Sequence, residues 1–575
     1  MKKIFVVVLL IMSLLLPACG GAQTDASPGA SPSASPGASP GASPGASPGA
    51  QSPNQPSTAA PTIPPEQLAP VETAKIAESM TFSMFNASWD LSPWKHDGHT
   101  TNTLLPMLYS DLMLSPGFGA TWDELELDMA KSVTLSDDKL TATVELFDYI
   151  HDSKGNPIKA QDVVYSYGMA PTMNAKFSHV RQLVSITALD DYTVELKIGA
   201  YGAGIWEVVL SFCPIVSQSW FENASDEEKS NDPATTGTYK VVENVPGTSI
   251  TLTMVEDYWQ KEELRTAHKA QNVRTLYCVC IVEDSVRTIA LEKGEIDGTK
   301  IQIPDVDKFI NSPDYNIFRF AHGVAISTIF NCKPGTVFDN LALRKAVLYA
   351  IDFDQVRIGA SGHPEYGIPS RDIGHPVSSD YDPAWNSEPY FDYNVDLAKQ
   401  YLEEAGYGPN SGLTVRFMIK NLPLQVTGAT VMQSYLAAIG INMEILAYDG
   451  ALYNTYIVEP DEWDFTWGAA STNTGLVMDA WNFFFNSWGT DSTYCYIYQD
   501  TKLQELLDKA VQQHDKASMD AFRAYTIEQA YGCGMFVEEF VYIMQSGITH
   551  LPQMYNCSPG LSIASFASDY ETKVK

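Results

Sequence analysis

The sequence predicts an α/β protein built from at least two lobes, and three observations carry that expectation. Short strands alternate with amphipathic helices along most of the chain, which argues against a helical bundle or a β-sandwich. Residues 413–449 run through "LTVRFMI", "TGATVMQSYLAAIGI" and "NMEILAYD", a strand, a helix and a strand of the kind that makes a right-handed crossover between parallel strands. About 500 residues follow the low-complexity N-terminal stretch, more than one ordinary hydrophobic core organises.

At the N-terminus, Lys2 and Lys3 precede a thirteen-residue apolar run, Ile4 to Leu16. Such a run is short for a bilayer span and is expected to be a signal peptide over residues 1–18. "LPAC" followed by Gly20 and Gly21 resembles a bacterial lipobox, which implies cleavage before Cys19 and acylation of its thiol. Residues 19–75 are dominated by Ser, Pro, Gly and Ala, with the iterated unit "ASPG". They cannot form a core and are expected to be a tether reaching about 100 Å or more. "GASPG" at Gly37 to Gly41 fits G-x-S-x-G, but with no strand before it and no helix after it, it is not a nucleophile elbow.

The chain as a whole is globular in composition, 45% hydrophobic and 11% aromatic, and no second long apolar run predicts a membrane span. Sixty-nine acidic residues against 36 basic ones leave a formal charge of -33. That excess argues against a nucleic-acid partner, whose phosphates need a basic face. Seven cysteines follow Cys19: Cys213, Cys278, Cys280, Cys332, Cys495, Cys533 and Cys557. Cys278 and Cys280 in "LYCVCIV" fall on one face of a strand and are expected to be buried apolar residues rather than metal ligands. One or two disulfides are compatible with an exported chain, with the pairing left open.

Along the body, "MTFSMF" (Met80 to Phe85) is an opening strand. "LSDDKLTATVEL" and "ITALDDYTVELKI" each place a polar turn before an alternating strand, so a small, mostly β subdomain is expected there. Residues 236–260 read as a hairpin turned at Pro246-Gly247. Helices are expected from Ser285, stopped by Gly294, through Phe338 to Val356, and from Val395, ended by Gly406.

Five blocks occur in a familiar order: "LFDYIHDSKGNPIKAQDVVYSY", "TGTYKVVENVPGTSITL…DYW", "LEKGEIDG", "FDNLALRKAVLYAID" and "DLAKQYLEEAGY". Together they resemble the extracellular solute-binding proteins of the peptide and nickel class (family 5), receptors of ATP-driven importers. The resemblance covers nearly everything from about residue 78 onward. It implies a two-lobed periplasmic-binding-protein-like α/β fold with a small, mostly β subdomain inserted in the first lobe. The implied first lobe comprises 76–111, 231–303 and 541–575; the insertion is 112–230 and the second lobe 304–540. One departure stands out: Lys159 replaces the Thr or Ser with which the family caps the following helix, so the cap must come from elsewhere or be lost.

The resemblance also implies where a ligand sits. "WDFTWGAASTNTG" (Trp463 to Gly475) matches a strand that runs into a cleft loop carrying, in oligopeptide-binding members, an aspartate for the peptide ammonium. Here Thr472, Asn473 and Thr474 occupy that place, flanked by Trp467 and Ser471. Neutral groups cannot neutralise a buried ammonium. Either Asp479 or Glu539 supplies the countercharge, or the ligand is not a free-amino peptide. "NASWDLSP" matches the segment leaving the first strand, which nominates Ser88 and Trp89; Phe177 is a further candidate. Trp463, Trp467, Trp481, Trp488 and Phe483 to Phe485 form the most aromatic stretch, which suits either the lobe core or a cleft wall.

The expectation is therefore a non-enzymatic receptor with no cofactor, lipid-anchored outside the cytoplasmic membrane and monomeric. It would deliver di- or oligopeptides to ABC permease subunits driven by a cytoplasmic ATPase. Alternatives are an oligosaccharide or a nickel or other metal chelate on the same scaffold, a tethered secreted enzyme, or a sensory receptor. No H-E-x-x-H and no P-loop is present. His96 and His99 lie in a turn-rich segment that does not favour a metal site.

Overall fold

The computed structural model describes residues 75–572, apart from 86–89, 96–98, 118, 409, 460, 472–474, 486–499 and 555–556. Cys19 and most of the tether lie outside the described residues. No described helix is long and apolar enough to cross a membrane.

The largest sheet has eleven strands. Its path runs Asn442–Tyr448, Thr414–Lys420, Phe465–Ser471, Tyr315–Phe330, Gly532–Gln545, Gly298–Ile301, Ala77–Met84, Val273–Cys280, Ser249–Met254 and Tyr239–Val245. Ile368–Pro369 pairs off this path with Gly532–Gln545. At one end the expected β-α-β unit is present: Thr414–Lys420 and Asn442–Tyr448 pair in parallel, with Phe417 opposite Ile445, across the helix Pro423–Ala438. At the other end the predicted hairpin pairs Tyr239 with Met254 and Val245 with Ser249. Gly247 turns it at φ +73°, a conformation that glycine adopts without Cβ strain.

Two long strands, Tyr315–Phe330 and Gly532–Gln545, carry the sheet from one hydrophobic core to a second. Phe318, Phe320, Phe540 and Tyr542 pack in the first core, whereas Ile326, Ile329, Met535 and Phe536 pack in the other. The ladder between the strands slips where the cores change over. Ala321 faces Glu539 and Ala325 faces Val537, so three residues on one strand oppose a single residue on the other. Such a bulge bends the strand and leaves local backbone groups out of the ladder. Close by, Gly534 lets two backbones meet: a Cβ there would lie 2.0 Å from the Asp372 carbonyl oxygen. Gly534→Ala is expected to cost about 1–3 kcal/mol or more, because neither backbone has room to move, and urea unfolding of the variant checks it.

The small β subdomain is also present, as an antiparallel sheet ordered Ala130–Leu135, Thr141–Leu146, Thr193–Ile198, Leu183–Ala188. The helix Ala160–Met173 packs on it through Val163 and Tyr167, in the same core as Val144 and Leu196. The missing cap of this helix is replaced from two sources. The Ala160 N–H donates to the Asp191 carbonyl at 2.9 Å, and the Lys159 N–H to the Asp162 carboxylate at 2.7 Å.

A buried charged network fixes the subdomain to the first core. Lys269 Nζ lies 2.6 Å from Asp128 Oδ2, their side chains 4% and 1% exposed, and also donates to Ser110 Oγ at 3.1 Å. Asp128 accepts from the Asp111 N–H, and Asp111 in turn accepts from the Cys213 N–H at 2.9 Å. Among the described residues the six cysteines are all free; Cys278 is buried as expected, while Cys280 is only partly covered.

Candidate functional site

In open α/β sheets the space beyond the carboxyl ends of parallel strands collects ligands. Here those ends converge from both halves on the bulge. From the first half come Ala77–Met84 and Gly298–Ile301, paired in parallel with Ser83 opposite Thr299. From the second comes Phe465–Ser471, whose last residue faces Val324, inside the irregular stretch.

Alternation along Gly532–Gln545 sorts its side chains onto two faces. On one face lie Glu538 and Phe540. The His322 ring stacks on Phe540 with centroids 4.3 Å apart, and His322 Nδ1 is 3.5 Å from the Glu538 carboxylate. Lys300 Nζ sits over the same Phe540 ring, 3.4 Å from its centroid. His375, fully buried, is 2.8 Å through Nε2 from the His322 carbonyl oxygen, and its Nδ1 accepts from the Val377 N–H at 3.4 Å. This pair of contacts selects the neutral tautomer with the proton on Nε2. Burial pulls its pKa down to about 4, outweighing the bond to the His322 carbonyl.

On the opposite face, the Glu539 carboxylate accepts from Arg319 Nε at 3.0 Å, Arg319 Nη2 at 2.6 Å and the Gly367 N–H at 2.8 Å. It is thus neutralised within the protein by a bidentate guanidinium.

A cavity of about 530 Å³ opens between the β subdomain and the second half, within the usual range for small-molecule sites. The subdomain lines it with Trp122, Asp123, Tyr201 and Glu207; the second half contributes Asp380, Asp382, His514 and Lys516. His514 Nε2 is 3.2 Å from Asp380 Oδ2, while Asp380 Oδ1 accepts from the Val477 N–H at 2.7 Å. Lys516 pairs with Asp382 and Asp520. Desolvation raises the Glu207 pKa, and His514 opposes the shift. The two sides touch beside the cavity: the Ala203 N–H donates to the Val511 carbonyl at 3.4 Å, and a Cβ on Gly119 would lie 2.8 Å from the Gly475 carbonyl oxygen. Carboxylates outnumber cations on the lining, so the cavity favours a positively charged group. Among the described residues no cluster of three or more His, Cys, Asp or Glu is arranged to hold a metal ion.

The residues nominated from sequence fall in different places. Ser88, Trp89, Thr472, Asn473 and Thr474 lie outside the described residues. Ser471 ends its strand at the bulge. Asp479 is half-buried in the first turn of the helix Val477–Phe485, which starts beside the cavity-lining Leu476. Glu539 holds Arg319, as described. Phe177 is fully buried and stacked on Phe212, with centroids 5.7 Å apart, within the first core. Trp467 is 1% exposed and packs edge-on to Phe536 in the second core. Of the aromatic stretch around it, Trp463, Trp481, Phe484 and Phe485 are buried, with Trp481 and Phe485 packed on Phe522, Phe483 is half-buried, and Trp488 lies outside the described residues. Sequence reasoning missed Lys300, His322 and Glu538, and also Glu207, Asp380 and His514. Strand alternation could have separated Glu538 from Glu539, but the cavity residues come from segments far apart in the chain and carry no local signal.

Comparison with known proteins places this geometry. The family model for bacterial extracellular solute-binding proteins, family 5 (middle), matches residues 124–494. The oligopeptide-binding protein OppA of Bacillus subtilis is 23% identical over 460 residues, spanning 72% of this chain and 78% of OppA. Among solved structures, the substrate-binding protein CtaP of Listeria monocytogenes superposes with a TM-score of 0.72 at 21% identity, over 86% of this chain and 100% of that one. AppA of Bacillus subtilis, in complex with a nonapeptide, gives 0.66 at 18% identity over 86% and 100%. At these identities the structural likeness shows the shared two-lobed fold.

Proposed function

Because the chain belongs to the bacterial extracellular solute-binding proteins of family 5, which are extracytoplasmic binding receptors of ABC transporters and not enzymes, we propose that its solute is a peptide. The observation that carries this reading is the acid-rich cavity where the β subdomain meets the second half. A peptide ammonium needs a countercharge in a desolvated site. Glu539 is occupied by Arg319, so Asp380 and Glu207 supply it. The likeness to OppA and to the nonapeptide-bound AppA supports the same solute class.

In this reading 76–111, 231–303 and 541–575 form one lobe, 112–230 its inserted subdomain and 304–540 the other lobe. The protein acts as a monomer, held to the membrane through acylated Cys19 and the tether, and passes its solute to a permease for uptake.

Native mass spectrometry of the freshly purified protein is expected to show a retained peptide. Addition of a matching peptide at about 100 times its Kd should stabilise the fold by about 2.7 kcal/mol. The reading fails if no peptide co-purifies and no peptide mixture shifts the melting temperature.

A further inference from the structure

Lys269 shows how this chain accommodates a buried lysine: it places an acid 2.6 Å away. Lys300 is treated differently. It is partly buried in a crevice at the carboxyl end of the first half's sheet, lined by Phe82, Phe85, Thr103, Tyr542 and Ser558. Its Nζ lies 3.4 Å from the Phe540 ring centroid and 5.1 Å from that of Phe85. Among the described residues none is hydrogen-bonded or ion-paired to its Nζ; Glu538 attracts the ammonium without making ion-pair contact. Ring faces offset part of the cost of desolvating an ammonium, but they do not neutralise it. The chain has 69 acidic residues against 36 basic ones, and none of the described carboxylates makes an ion pair with this ammonium.

We propose that Lys300 recognises a carboxylate of the bound solute, which enters over the Phe85 and Phe540 rings and completes the ion pair the protein leaves open. Thr103, Tyr542 and Ser558 line the same crevice. The inference rests on the peptide reading above and deepens it. Acids line the larger cavity and an ammonium stands here, so a solute that reaches both would carry both charges, as a peptide with free termini does.

Burial also pulls the Lys300 pKa down to about 8, with Glu538 raising it and Arg287 lowering it. The other ionisable groups facing it are Tyr542, in the same crevice, and His322, across the Phe540 ring. A solute anion binds the protonated lysine, so affinity for it falls once the pH exceeds about 8 and continues to fall until the higher pKa of the complex is passed.

The test compares a random tetrapeptide pool bearing free carboxylates with the same pool as C-terminal amides. Binding is measured to the purified protein, Lys300→Met and Lys300→Arg at about pH 7 and about pH 9.5, either side of the free-state pKa. The protein should prefer the free acids by about 10- to 100-fold at the lower pH, the range for one charge-assisted hydrogen bond. That preference should shrink at the higher pH, vanish in Lys300→Met, and persist at both pH values in Lys300→Arg, whose guanidinium stays charged. Circular dichroism and melting temperature show that each variant is folded. Equal binding of both pools by the protein, or an unchanged preference in folded Lys300→Met, overturns the proposal and leaves the peptide reading standing. Binding of neither pool overturns both.

Discussion

Lys269→Met should lower the stability of the protein by about 3–5 kcal/mol, the cost of leaving one partner of a buried ion pair alone. Lys269 and Asp128 are almost completely covered and 2.6 Å apart, and Asp111 lies next in the network. Burial raises the Asp111 pKa well above the usual carboxylate value, and the charge on Asp128 adds to the shift. The Lys269 ammonium therefore holds two crowded carboxylate groups together, and removing it leaves their repulsion uncompensated. The sign of the pH effect follows. Without the lysine, the folded state gains by keeping a proton on this pair, so the deficit should shrink as the pH falls and grow as it rises. Urea unfolding followed by tryptophan fluorescence measures it. A loss under about 1 kcal/mol, ordinary for a surface site, would mean that water reaches the pair in the folded state.

Acid should loosen the molecule through His375. Its pKa is pulled from 6.5 to about 4 by burial, and the Val377 N–H occupies the nitrogen that would take the proton. Unfolded chains take up that proton near pH 6.5, whereas the folded protein refuses it until about pH 4. Between those values the unfolded state binds more protons, so stability is lost as the pH falls, by up to about 3 kcal/mol at the lower limit. His375→Gln, which can still donate to the His322 carbonyl, should flatten this part of the stability profile. An unchanged slope in that variant would assign the acid sensitivity to other groups. Because the carbonyl belongs to His322, within the irregular part of the ladder, the weakening falls where the two cores meet.

Much of the fold was legible because its elements are local. The β-α-β unit of residues 413–449, the turn at Gly247 and the stop at Gly406 (φ +88°) each depend on spacing within a few residues. The crossing strands were less legible. Tyr315–Phe330 is paired on both sides from Ala325 to Ile329 and Gly532–Gln545 at Phe536–Val537 and Val541–Met544, and Gly532–Gln545 is buried at every residue but Glu538, so little polar alternation marks it. The site was least legible. The state of Glu539 is decided by Arg319, 220 positions away, and that of Lys300 by rings at Phe85 and Phe540. Charge balance at such points is a property of the assembled sheet, which a linear pattern of polar and apolar residues does not encode.

The sheet's continuity has a mechanical consequence. The halves are joined by two hydrogen-bonded strands whose ladder is irregular only between Ala321 and Ser327, not by free linkers. Relative rotation must be taken up at that interruption, because anywhere else it would strip ladder hydrogen bonds. A joint of this kind acts as a flexure with a restoring torque. Its rest angle is written into the twist of the two strands, so the span between the halves before any solute arrives is an inherited property of the backbone.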